Sequence, residues 1–280
     1  MVLYTARDLL HLPEPLPPWD HQTEDLERNW QRDGWGIFWE QGTGKSRRTL
    51  DDFAKNYDAG IARRLCIMAP SGVHLNWLTD EIPAHLPVRL RDRFLGMAYS
   101  TDRSETKAHK ADLAAVTAHN GPAVLSMSYD ALMTERGKKA LWDFIRTEPT
   151  FGVGDETSNI KTPDAARTKR AIASTPYFVK RRALNGTPID NTPLDVYSQI
   201  RWIDGSFWKR ELDIDGFTAF KAYFCEQEPR TGVGGREYKV ITGYKRLDEL
   251  QDVIKLISSR VLKDDVLDIP PKTYNRRQVF

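Results

Sequence analysis

The stretch Phe38-Trp39-Glu40-Gln41-Gly42-Thr43-Gly44-Lys45-Ser46-Arg47-Arg48-Thr49-Leu50 decides the fold. An apolar run, Gly36-Ile37-Phe38-Trp39, is cut by a glycine-rich turn, and a helical pattern from Ser46 to Tyr57 follows at once. Strand, tight glycine turn and helix in that order form the setting in which a loop cradles phosphate. Gly42 and Gly44 let backbone amides turn inward. The helix start then aims its free N–H groups and partial positive charge at the same point. Lys45 is placed to neutralise the β- and γ-phosphates of a nucleotide, and the Ser46 hydroxyl to ligate Mg²⁺. The nucleotide-contacting set read from this loop is Gln41, Gly42, Thr43, Gly44, Lys45, Ser46 and Arg47. The stricter pattern has a glycine where Trp39 stands, so the loop alone says only that a nucleotide is bound, with ATP and Mg²⁺ the expected pair.

Outward from the loop, short apolar runs alternate with amphipathic charged segments. The runs Leu65 to Ala69, Ala123 to Met127, Phe151 to Gly154 and Arg182-Ala183-Leu184 are each bounded by Gly, Pro or charge, as strands buried on both faces of a parallel sheet should be. Helices are expected over Val73 to Glu81, Glu105 to Ala118, Lys138 to Arg146, Pro163 to Ala173 and Leu194 to Ile203. This alternation predicts an α/β domain with a mainly parallel sheet flanked by helices. Three regions are expected: an extended, Pro-rich lead-in over 1–18, the α/β unit over 19–205, and an extension over 206–280. In the extension an aromatic helix around Phe217 to Phe224 precedes a hairpin or loop at "TGVGGREYKVITGYK" and a helix from Leu247 to Leu262.

Composition narrows the class. The 41 basic and 39 acidic side chains nearly cancel, leaving a formal +2, so any nucleic-acid site has to be a local cluster. The 2 cysteines, Cys66 and Cys225, fit neither a disulfide framework nor a zinc site, and Cys66 reads as a small buried residue. No basic start with an apolar core marks a signal peptide, and no apolar run approaches the roughly 20 residues that span a bilayer. The expectation is a reduced, cytoplasmic protein of a prokaryotic or phage-infected cell, with no membrane partner.

Phe151-Gly152-Val153-Gly154 leads into Asp155-Glu156. Two carboxylates at a strand end carry little meaning alone. Behind a phosphate loop, at the C-terminal edge of a parallel sheet, Asp155 can hold Mg²⁺ and Glu156 can orient and deprotonate an attacking water. Lys45, Asp155 and Glu156 are therefore the candidate catalytic residues, with Ser46 and Asp155 as metal ligands.

These pieces, taken with "LNGTPIDNTPLDVYSQI" from Leu184 to Ile200, resemble the superfamily-two helicases, and among them the SWI/SNF-like DNA translocases of phage and prokaryotes. His21-Gln22 matches the family's adenine-reading glutamine, and Glu40 to Ser46 its motif I. "APSGVHLNWLTDE" matches motif Ia at Pro70, Ser71, Asn76, Trp77 and Glu81. Ser126 to Tyr129 matches the next strand-end motif, "DETSNIK" matches motif II with Lys161, and Asn185 to Pro188 followed by Asn191 matches motif III. The late stretch "GYKRLDEL…VLKDDVLDIPPK" resembles the passage from the first lobe to the second, although Ser259-Arg260-Val261-Leu262-Lys263 replaces an Arg-Arg pair and Asn185 a commoner Thr.

The resemblance implies a RecA-like first lobe of a DNA-dependent ATPase, with Gln22 on adenine and Asn185, Gly186, Thr187 and Pro188 coupling the γ-phosphate to DNA. Ser71, Gly72 and Ser128 would offer amides and hydroxyls to the DNA backbone. It also implies that the chain stops where a second RecA-like lobe begins, supplied in the same protein or in trans. An arginine finger from such a lobe is worth about 10³ to 10⁵ in rate, so residues 1–280 are expected to bind ATP and hydrolyse it poorly. Trp77 reads as core sooner than as a base-stacking platform, given Val73, Leu78 and Ile82 around it. The clusters Arg167, Lys169, Arg170 and Lys180, Arg181, Arg182 read equally as phosphate trackers and as solvated faces, and either Arg47 or Arg48 is a candidate neighbour of adenine. The competing functional class is a lone regulatory module that binds ATP or DNA without efficient hydrolysis. A P-loop kinase leaves Asn185 to Pro188 unexplained.

Overall fold

The computed structural model describes residues 3–232 and 235–266. Within them the strands are β1 (Leu3–Thr5), β2 (Gly34–Ile37), β3 (Arg64–Ala69), β4 (Leu95–Ala98), β5 (Ala123–Ser128), β6 (Thr150–Gly154), β7 (Phe178–Leu184), β8 (Cys225–Thr231), β9 (Glu237–Tyr244) and β10 (Ser258–Ser259). One sheet has the order β1-β4-β5-β3-β6-β7-β2-β10, and β8 pairs with β9 in a separate antiparallel hairpin. Every pairing in the large sheet is parallel except that of β1 with β4. The architecture is the expected RecA-like α/β core.

Burial on both faces explains why the central strands read as unbroken apolar runs. Along β3, Leu65, Ile67 and Ala69 enter one core with Phe53, Trp77 and Phe151, while Cys66 and Met68 enter the other with Met127, Tyr129 and Ile200. Burial pushes the Cys66 thiol far above its ordinary range, and both cysteines are unbridged. The parallel strands end at one edge of the sheet. The loops after β2, β3, β5, β6 and β7 gather there, as ligand-binding loops do in open α/β sheets.

The structure departs from the sequence reading in several places. The lead-in is not extended throughout, because Leu3–Thr5 pairs with β4 and Ala6–Leu9 is helical; only the Pro-rich stretch after it lacks regular structure. The segment predicted as one helix over Val73 to Glu81 is a helical turn at Val73–Asn76, a π-turn at Trp77–Glu81 and a further turn at Ile82–His85. β7 starts earlier than the apolar run at its end, because Lys180 and Arg182 point inward at alternate positions and are buried.

In the last region the Gly216–Phe224 helix seats Phe220 against Tyr197 and Trp208, with ring centroids 4.9 and 4.6 Å apart. The helix predicted to reach Leu262 ends at Lys255, and Ser258–Ser259 returns to the sheet beside β2. Val233 and Gly234 of the hairpin turn, and 267–280 with the "DIPPK" stretch, lie outside the described residues. Among the described residues no helix is long and apolar enough to cross a membrane.

Candidate nucleotide site

The loop between β2 and the Lys45–Asp58 helix has the conformation its glycines permit. Gly42 and Gly44 sit at φ 81° and 80°, a region open to glycine and strained for other residues. A side chain on Gly44 would also collide with Gln22, whose Nε2 lies 1.9 Å from where a Cβ would be. Gln22 is buried against the loop: its Nε2 donates to the Gly44 carbonyl at 3.2 Å, and its Oε1 accepts from the Trp19 N–H at 2.8 Å. The amide expected to read adenine thus braces the loop. The half-exposed indole of Trp19 lies 3.5 Å from the same Gly44 position.

Trp39, the departure from the stricter pattern, is fully buried, and its Nε1 donates to the Ser259 hydroxyl at 2.9 Å. That position faces the interior here, so a large ring replaces glycine without obstructing the phosphate side. Lys45 Nζ donates to the carbonyls of Trp39 at 2.9 Å and Glu40 at 3.2 Å. Burial lowers its pKa, and Glu156 and Asp155 nearby pull it back up.

Asp155 and Glu156 leave β6 toward this lysine. Asp155 is held from three sides. Its N–H donates to the Met68 carbonyl at 2.7 Å, its Oδ2 accepts from Trp77 Nε1 at 2.9 Å, and its carbonyl accepts from the Tyr129 hydroxyl at 2.9 Å. Trp77 is therefore core, as expected, and it also orients the aspartate. The π-turn at Trp77–Glu81 fits a common use of such turns, re-aiming side chains at sites. Glu156 occupies the left-handed region at φ 47°, a conformation costly for a non-glycine residue and concentrated at functional sites. Burial and then the Asp155 charge raise its carboxyl pKa above the ordinary glutamate value, and burial raises that of Asp155.

Asn185, Gly186 and Thr187 leave β7 into the same cleft. Together with Glu40, Gln41, Glu156, Ser158, Asp190 and Lys263 they line a cavity of about 430 Å³. Gln199, which the sequence reading overlooked, ties this wall together. Its Oε1 accepts from Thr157 Oγ1 and from Asn185 Nδ2, both at 2.7 Å, and its Nε2 donates to the Pro188 carbonyl at 2.7 Å and to that of Asp195 at 2.9 Å. The segments after β6 and β7 are thus joined through one fully buried amide. Its only sequence signal is a polar residue on the buried face of the Val196–Ile203 helix.

Lys45 lies in the fields of Glu156, Asp155 and Glu81, and the Glu81 carboxylate in turn hydrogen-bonds Ser46. One hydroxyl and one carboxylate suit a small hard cation that completes its octahedron with water and phosphate oxygens, which is how Mg²⁺ accompanies nucleotides. Among the described residues no group of three or more His, Cys, Asp or Glu could hold a metal unaided.

The other candidates fall elsewhere. Ser71 and Gly72 are exposed after β3, and the Ser71 hydroxyl donates to Asp130 at 2.9 Å. Arg167 also binds Asp130, at 2.5 Å. Ser128 is nearly buried, with its Oγ accepting from the Ala131 N–H at 3.1 Å. Arg47 pairs with Asp51 at 2.7 Å and with the Leu16 carbonyl, facing the Pro-rich lead-in.

Three of the basic candidates are structural. Arg182 and Arg48 are fully buried around Asp52, and Lys180 donates to Asp33 at 2.9 Å. Burial at alternate positions along β7 removes Lys180 and Arg182 from any surface that tracks phosphate.

No family model matches the chain. It is 36% identical over 132 residues to the helicase-like transcription factor CHR28 of Arabidopsis thaliana, a match covering 45% of this chain and 11% of that protein. Among solved structures it is similar to the Sulfolobus solfataricus SWI2/SNF2 ATPase core in complex with dsDNA, with TM-score 0.60, 19% identity, and 90% of this chain and 46% of that one covered. It is also similar to the Sulfolobus solfataricus SWI2/SNF2 ATPase core domain, with TM-score 0.57, 20% identity, and 92% and 46% covered. The chain spans less than half the length of each of these relatives. The resemblance to SWI/SNF-like superfamily-two proteins read from the motifs is supported by these likenesses, and the fold is that of their ATPase cores.

Proposed function

We propose that this chain is the ATP-binding lobe of a DNA-dependent ATPase that couples hydrolysis to movement on DNA. One observation carries the reading: Gln41 at the start of the phosphate loop, Glu156 and Asn185 to Thr187 line one cavity, and the loop's Lys45 lies within the fields of Glu156 and Asp155. The protonated amine of Lys45 moves from the Trp39 and Glu40 carbonyls to phosphate oxygen, exchanging neutral acceptors for charged ones. Ser46 and Asp155 are the residues that would hold Mg²⁺, which when bound would supply charge neutralisation to the phosphates. Glu156, with its raised pKa, takes a proton from water attacking the terminal phosphate. Gln199 keeps the Asn185–Pro188 segment in register with Thr157, so a shift at Glu156 reaches the wall that follows β7.

DNA would lie along the β5–β3 half of the same edge, over Ser71 and Gly72. Phosphate would there replace Asp130 as the partner of Ser71 and Arg167. A second lobe facing the cleft, in the same protein or in trans, would supply the transition-state arginine.

Titration calorimetry with MgATP, and turnover measured with and without duplex DNA, test the reading. Lys45→Ala should abolish binding. Glu156→Gln should retain binding and lower DNA-stimulated turnover by roughly 10²- to 10⁴-fold, the usual contribution of a general base. Undiminished turnover in both variants would overturn the assignment.

A further inference from the structure

Two cations stand beside the loop that its own motif does not contain. The segment after the Leu247–Lys255 helix runs alongside β2 and past its end. Gly36, Phe38 and Glu40 donate their N–H groups to the carbonyls of Ile257 at 2.9 Å, Ser259 at 3.0 Å and Val261 at 3.0 Å. This alignment carries Arg260 and Lys263 to the edge where the phosphate loop begins. Arg260 Nη1 donates to the carbonyls of Phe38 at 2.8 Å and Gly186 at 2.6 Å, locking the segment to both walls of the cleft. The Lys263 N–H donates to Glu40 Oε2 at 2.7 Å. Its side chain then crosses the crown of the loop, with Cε 3.5 Å and Nζ 3.6 Å from where a Cβ on Gly42 would be.

The geometry points to Lys263 as a ligand of the terminal phosphate of a bound nucleoside triphosphate. The inference rests on the proposed ATP site and adds a specificity residue to it. Three carboxylates, Glu40, Glu156 and Asp190, line the cavity, and they repel a polyphosphate. Lys45 approaches from the loop's own helix, and Lys263 is the lysine lining the cavity beside those carboxylates. If Glu156 activates a water against the terminal phosphate, that phosphate lies on the Glu156–Asn185 side of the loop, which is the side Lys263 shares. The inner phosphates would then fall to the loop amides and Lys45. Lys263 therefore distinguishes triphosphate from diphosphate, whereas Lys45 holds both.

The test is calorimetric titration of residues 1–280 with MgATP and MgADP in the wild type, Lys263→Ala, Lys263→Arg and Lys45→Ala, with thermal melts as a folding control. Lys263→Ala should weaken MgATP about tenfold, the scale of one charge-assisted hydrogen bond, and change MgADP less than about twofold. Lys263→Arg should retain most of the preference. Equal weakening of both nucleotides, or none of either, overturns the role of Lys263 while the ATP site stands, provided Lys45→Ala abolishes binding. A wild-type chain that binds neither nucleotide overturns both.

Discussion

Lys45 and Arg48 stand within one turn of each other on the same helix, and they are opposite in kind. Arg48 is fully buried, donates to Asp25 at 2.7 Å and pairs with Asp52, which also receives Arg182 at 2.7 Å. Asn56, Asn29 and Trp35 take up the remaining carboxylate oxygens. This network fastens the Asp20–Asn29 helix, the Lys45–Asp58 helix and β7 to one another. Among the described residues no carboxylate contacts Lys45; it rests on two backbone carbonyls while Asp155 and Glu156 act on it from farther away. A cation with a complete set of partners holds structure. A cation lent to neutral carbonyls is available to a ligand.

The sharpest way to break that comparison is Asp52→Ala, which leaves two buried arginines without their shared carboxylate. Chemical denaturation should show a loss of about 3–5 kcal/mol, the range for breaking a buried ion pair from one side. If stability were unchanged, the network would not be the fastening it is taken for. Lys45→Ala should do the reverse. MgATP binding should be lost, a fall of at least about 100-fold or roughly 2.7 kcal/mol, while the unfolding midpoint stays within the small range of surface substitutions.

Gln199→Leu lies between the two classes. Stranding Thr157, Asn185 and the Pro188 carbonyl should cost about 1–3 kcal/mol in denaturation, and it should impair turnover more than nucleotide binding. The smallest effect is on pH. Catalysis needs Glu156 deprotonated, so activity should fall as pH drops through its raised pKa, at higher pH than an ordinary glutamate gives. Phosphate binding needs Lys45 protonated, and its lowered pKa brings the alkaline limb down, so the pH profile should be narrower than unperturbed side chains predict. In Glu156→Gln the acid limb should disappear.

The same contrast decides what was legible in the sequence. β2, β3, β5 and β6 could be read because burial on both faces writes itself as continuous apolar runs, and the loop could be read because its glycines and lysine are neighbours in the chain. Arg182 misled. On a strand buried on both faces a charged residue looks like a surface residue until its partner Asp52, distant in sequence, is seen. β10 was illegible for a related reason. Ser258–Ser259 has no apolar signal and is a strand only because β2 offers an edge. Gln199 and Lys263 share that fate, since their meaning lies in what tertiary packing sets opposite them. Asp155 was anticipated as a metal ligand, but nothing local to it pointed to Trp77 as the group that aims it.

β10 has a mechanical consequence. It runs parallel to β2 at the border of the sheet, and the chain beyond it departs at the same end as the phosphate loop. Tension on the following segment therefore acts along the strand, loading the bonds from Gly36, Phe38 and Glu40 together in shear rather than peeling them one by one. Such a joint resists pulling until all three rungs slip at once. A displaced Glu40 would then carry its tie to Lys263 with it, so force arriving from downstream would be felt first at the lip of the nucleotide cleft.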